Sequence, residues 1–123
     1  MEVVVVLGAS SDPSRYSFRA LQMLENAGHE AIPVHPRESE ILGKKVISSL
    51  SALIKNHVKV HTVSVYVNAA ISTPLEKDFL ALRPDRIIFN PGAENPGLAQ
   101  SLQKAGIRVE NACTLVLLQT DQF

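Results

Sequence analysis

The sequence predicts an α/β protein. The expected fold is a Rossmann-like, doubly wound, five-stranded parallel sheet with helices on both faces, forming one domain over residues 1–123. Three observations predict it. Short β-branched runs alternate with helical patterns along the chain. The first run, EVVVVL at 2–7, is almost continuously apolar, as a strand covered on both faces must be. It passes through a single glycine and a cluster of small polar residues straight into a helix, the strand–turn–helix unit of a parallel sheet.

After the first strand, Ala20, Met23, Leu24 and Ala27 recur at helical spacing, and Gly28 marks the stop. EAIPV at 30–34 is a second, shorter strand, in which Pro33 lacks a backbone donor and marks an irregularity. Residues 35–47 read as loop with a short extended piece at 45–47, followed by a short helix from Leu50 to Lys55. HTVSVYV at 61–67 is the third strand. A helix over 72–82 has Thr73 as cap, Pro74 first and Glu76 completing a capping box, with Leu75, Phe79 and Leu82 as its buried stripe. RIIFN at 86–90 is the fourth strand, and Asn95 and Pro96 open a helix that Gly106 closes. IRVEN at 107–111 is the fifth strand, and residues 113–120 read as a terminal helix. The expected strand order is 3-2-1-4-5, with ligand beyond the carboxyl ends near the switch point between strands one and four.

Composition narrows the function. Twelve basic residues offset twelve acidic ones, which argues against binding a phosphate backbone in bulk. With four Phe, two Tyr and no Trp there is little material for a base-stacking platform, so no nucleic-acid partner is expected. The single Cys113 excludes an internal disulfide framework and fits a reducing cytoplasm. The apolar start is too short for a membrane span and lacks a basic leader. His29, His35, His57 and His61 form no metal-ligand pattern with Cys113, and no catalytic set of residues stands out.

The turn after the first strand holds Gly8, Ala9, Ser10 and Ser11, then Ser14, Arg15 and Ser17. Its amides, hydroxyls and arginine, with the positive end of the following helix, can form a pyrophosphate site without a three-glycine fingerprint. The same turn also reads as a plain tight connection with Asp12 or Ser14 capping the helix. The end of the second strand discriminates better. It runs His35, Pro36, Arg37, with no carboxylate where an NAD domain places one on its ribose. A cation there suits a phosphorylated ribose, either the 2′-phosphate of NADP or the 3′-phosphate of coenzyme A. Glu94 and Asn95 follow the Pro91–Gly92 turn and read more readily as helix caps than as ligands, and Cys113 reads as packed core.

Gly8-Ala9-Ser10, Pro13, Arg15 and Ser17, then the run Pro33 to Arg37, then Gly43 and Leu50, resemble the small bacterial CoA-binding proteins, whose fold is that of the N-terminal CoA-binding domain of the succinyl-CoA synthetase α subunit. The resemblance extends through VSVYV at 63–67 and AGIRVENAC at 105–113. It departs at His35, where the family has Asn, and at 89–95, where the family often carries Trp and Gln. It implies a Rossmann-like CoA-binding domain, and with no catalytic set in the sequence the expected function is to bind coenzyme A or an acyl-CoA without a reaction of its own, as sensor, carrier or partner of another enzyme. Gly8, Ala9, Ser10, Arg15 and Ser17 would lie near the pyrophosphate, Pro36 and Arg37 near the adenosine, and Val67, Asn68 and Ala69 along the wall. His35 faces the same edge and joins the candidates. An NADP-dependent reductase and an interaction domain with a decayed site are the alternatives; a homodimer or another protein partner is left open.

Overall fold

The computed structural model describes residues 1–123. β1 (Val3–Leu7) leads to α1 (Tyr16–Asn26), then β2 (Glu30–Val34), a small antiparallel hairpin of β3 (Glu40–Ile41) and β4 (Lys44–Lys45), and α2 (Leu50–Lys55). β5 (Thr62–Val65) follows, then α3 (Ala69–Ser72), one 3₁₀ turn, α4 (Glu76–Leu82), β6 (Arg86–Phe89), α5 (Pro96–Lys104), β7 (Arg108–Asn111) and α6 (Thr114–Gln119). The five main strands pair in parallel in the order β2-β1-β5-β6-β7.

The α/β class and the parallel sheet are as expected, but the strand order is not. Counting the main strands along the chain, the sheet runs 2-1-3-4-5 rather than 3-2-1-4-5. Pro33 supplies the reason. Its carbonyl accepts from Ile47 on the side of β2 away from β1, so its missing N–H also lies on that outer side. A strand that cannot donate there suits an edge. Only a single bridge, Val34 with Ile47, covers it. The chain therefore crosses back over β1, and the switch point lies between β1 and β5, not between the first and fourth strands.

Strand alternation divides the core. Val5, Leu7, Val63, Val65, Ile87 and Phe89 meet Leu50 and Leu53 of α2, Phe79 of α4, and Leu98 and Leu102 of α5. Val4, Val6 and Ala31 face the other way, onto Leu21 and Leu24 of α1, with Leu118 of α6 packed alongside. β1, β5 and β6 are buried along nearly their whole lengths, while β7 is half exposed, as the second edge.

Some local expectations shift. The buried stripe of α1 is Ser17, Ala20, Leu21 and Leu24; Met23 is half-buried and Ala27 exposed. The third strand stops at Val65. The helical segment after it begins a turn early, because Asn68 caps α3 through Ile71 N–H. Thr73 does not cap the helix that follows but closes α3, and its hydroxyl accepts from Asn95. Asn95 itself caps α5 through Leu98 N–H, with Pro96 first, as the sequence indicated. Arg86, inside an apolar-looking strand, is buried under the ring of Phe123, donates to Thr62 and lies near Glu110. No helix is long and apolar enough to cross a membrane.

His29 is half-buried, and its Nδ1 accepts from Glu2 N–H at 3.0 Å. Burial holds the imidazole below its ordinary 6.5. A histidine with a depressed folded pKa binds fewer protons folded than unfolded. Its contribution to stability is complete above 6.5 and is lost as pH falls through that value toward the folded pKa. Thermal denaturation should therefore show Tm declining below pH 6.5, and His29→Asn, which keeps an acceptor but cannot titrate, should flatten that decline. An unchanged slope would remove His29 from the account.

Candidate functional site

The turns after β1, β2, β5 and β6 meet at one edge of the sheet and enclose a cleft of about 880 Å³. Gly8 and Ala9 close the end of β1 and both donate their amides to the carbonyl of Val34, at 3.0 and 3.2 Å. Those amides hold the first turn to the second strand and are not free for an oxyanion. Gly8 sits at φ +88°, where a Cβ would meet Val67 Cγ1 at 2.9 Å and the Tyr66–Val67 backbone at 3.3 Å. The glycine thus lets the first turn press on the turn after β5.

Neither Asp12 nor Ser14 caps α1. Asp12 instead folds onto Ser14, accepting from its amide and hydroxyl, and these bonds hold the Asp12 carboxyl below the usual range. The N-cap position belongs to Arg15, which makes no side-chain cap, and the first amide of this stretch to find a helical acceptor is that of Arg19. Tyr16, Ser17 and Phe18 therefore open the helix with unclaimed N–H groups, a positive end aimed at the cleft edge. Of the four hydroxyls, Ser10 accepts from Asp12, Ser11 donates to Glu38 and Ser14 donates to Asp12. Ser17, buried and lining the cleft, keeps its hydroxyl free of such bonds.

Arg15 and Arg37 both line the cleft, and neither has a carboxylate within 4.0 Å. His35 shapes the loop between them and the strand. Its Nδ1 accepts from Arg37 N–H at 3.0 Å and Glu38 N–H at 3.1 Å, so neutral His35 carries its proton on Nε2. On the opposite side the cleft is walled by Tyr66, Val67, Asn68, Ile71 and Pro91. Burial pushes the Tyr66 phenol up to about 12, against the opposing pull of the Ser64 and Thr114 hydroxyls beside it.

Residues 2–119 match the family described as CoA binding domain. The chain belongs to that family. It is similar to an uncharacterized protein of known crystal structure, at 35% identity and a TM-score of 0.89 over 100% of this chain and 98% of the other. It also resembles the structure of cell-free ID.343 from Thermus thermophilus, at 29% identity and TM-score 0.87, covering 99% and 90% of the two chains. YneT, an uncharacterized protein of Bacillus subtilis (strain 168), is 40% identical over 50 residues, which span 41% of this chain and 37% of that one. A dinucleotide-forming acetyl-coenzyme A synthetase of Ca. Korarchaeum cryptofilum shares the fold at 21% identity and TM-score 0.71; this domain corresponds to 25% of that chain.

In this CoA-binding domain the cleft brings together Gly8, Ala9, Ser10, Arg15 and Ser17 with His35, Arg37, Val67 and Asn68. Pro36 and Ala69 stand outside the lining, Pro36 exposed on its loop and Ala69 as the first residue of α3. Tyr16, Glu38, Tyr66, Ile71 and Pro91 line the cleft without having been singled out. Tyr66 and Pro91 each follow a strand's carboxyl end closely, and correct strand limits would have pointed to them. Glu94 turns back to accept from Gly92 N–H at 2.9 Å. Cys113 is half-buried at the start of α6 and does not line the cleft.

Proposed function

We propose that this domain binds coenzyme A or an acyl-CoA in the cleft, as a binding module without a reaction of its own. The observation that carries the reading is the pairing of two arginines free of carboxylates, Arg15 and Arg37, with an uncapped helix N-terminus in one cleft. Phosphate oxyanions suit such a set of donors. The strand order supports a direction for the ligand: 3′-phosphate at Arg37 beyond β2, pyrophosphate at Arg15, Ser17 and the first turn of α1, and the pantetheine arm across Tyr66 and Val67 toward Pro91. Gly8 and Ala9 serve this site by joining its turns, since their amides are already bonded to Val34.

A ligand that binds only the native state at 100 times its dissociation constant adds about 2.7 kcal/mol of stability. CoA should raise Tm accordingly. Arg37→Ala should weaken CoA by roughly ten- to a hundredfold, the loss of one charge-assisted phosphate contact, and weaken dephospho-CoA much less. Calorimetry with both ligands and both proteins decides it. Equal losses would remove Arg37 from the 3′-phosphate. Binding of NADP with no response to CoA would replace the reading with a nicotinamide dinucleotide site.

A further inference from the structure

We infer that Glu38 is an internal competitor for this site: from the cleft lining its carboxylate occupies the amide and hydroxyl of Ser11, which stands exposed at the cleft's margin beside the lining residue Ser10, and a ligand phosphate reaching that margin takes those donors on binding. The inference rests on the phosphate-binding reading above. Glu38 Oε2 accepts from Ser11 N–H at 2.6 Å, and Oε1 accepts from Ser11 Oγ at 3.1 Å. An amide and a hydroxyl on one residue thus grip both oxygens of a carboxylate, and a phosphate offers two oxygens in the same way.

The choice of partner is informative. Glu38 adjoins Arg37 in sequence and shares a cleft with Arg15, yet pairs with neither. Both cations stay uncommitted while the one carboxylate in the lining sits on the turn. Bonding to Ser11 also keeps the Glu38 carboxyl below the ordinary carboxylate range, so the contact persists at neutral pH. The exchange requires little movement. The Glu38 backbone is held by its N–H on His35 Nδ1, so the side chain alone can swing out into solvent. The domain therefore discriminates against weak monoanions, which cannot displace the carboxylate, and in favour of ligands that bring several phosphate oxygens.

The test compares the unmodified protein with Glu38→Ala, by calorimetry and by the NMR resonance of the Ser11 amide. Glu38→Ala should tighten CoA by roughly three- to tenfold, the equivalent of one net hydrogen bond. The gain should persist at about 1 M salt, where simple through-space repulsion is screened within roughly 3 Å. The Ser11 resonance should differ between the two free proteins and coincide once both are saturated with CoA. Weaker binding by Glu38→Ala would mean that Glu38 holds the turn in shape for the ligand. Resonances that still differ at saturation would mean that Glu38 never leaves. Either result overturns the inference while leaving CoA binding intact. If neither protein binds CoA, the CoA reading fails, and inorganic pyrophosphate becomes the probe. Coincident Ser11 resonances with pyrophosphate would then uphold the exchange, and an unmoved Ser11 would overturn it.

Discussion

Gly8→Ala is expected to destabilise the domain by roughly 2–5 kcal/mol and to lower Tm by about 10–20 °C. Two costs combine. At φ +88° any L side chain is strained. The new Cβ also meets Val67 Cγ1 at 2.9 Å and backbone atoms of Tyr66 and Val67 at 3.3 Å, and the backbone cannot rotate aside as a side chain can. Relief requires the turns after β1 and β5 to separate, which opens the cleft, so the surviving folded protein should bind CoA poorly. Gly28→Ala is the control. Gly28 has nearly the same angle, φ +87°, but nothing within 4 Å of its would-be Cβ. It should lose only the strain, about 1–2 kcal/mol. Urea titration of both variants separates the terms. Equal losses would mean that the two turns do not press on each other.

Asn90→Ala should cost roughly 2–4 kcal/mol, a large effect for a residue outside the cleft. Asn90 is 1% exposed and holds three neighbours together. Its Nδ2 donates to Ser64 Oγ and to the Val65 carbonyl, each at 2.9 Å, and its Oδ1 accepts from Thr114 N–H at 2.8 Å. Ser64 and Thr114 in turn share a bond of 2.7 Å. Truncation leaves the Thr114 amide buried without an acceptor and a void beside it; the Val65 carbonyl retains only the Asn90 backbone amide at 3.2 Å. Asn90→Asp sharpens the point. It keeps the acceptor for Thr114 but turns an oxygen toward the Val65 carbonyl, so it should be about as damaging at neutral pH and milder in acid, where the carboxyl regains a proton to donate. Wild-type stability in Asn90→Ala would show that the network contributes nothing net.

The fold class and most element positions were legible because they depend on neighbours along the chain. Asn95, Pro96 and Gly106 bracket α5, and β-branched runs mark β1, β5 and β6. The same locality explains the misses. Thr73-Pro74-x-Glu76 has the form of a capping box, but Asn68 had already started the helical segment and Thr73 was taken by Asn95, more than twenty residues away. Pro33 carried the edge position of β2 in plain view; read only as an irregularity, it left the strand order wrong.

What the residues alone determined is a parallel α/β domain with small residues and cations after its first two strands, since periodicity, caps and residue chemistry are local properties. Family membership was legible in the same residues. The tertiary structure alone decided which donors remain free. The amides of Gly8 and Ala9 looked available until Val34 claimed them, Ser11 until Glu38 did, and the Nδ1 of His35 until it took the amides of its own loop, leaving only Nε2 free. Each of these groups can form any of several hydrogen bonds, and which one it forms depends on strands and turns brought together from distant parts of the chain. Arg15, Arg37 and the opening amides of α1 remain unclaimed for the same reason: packing placed no acceptor beside them.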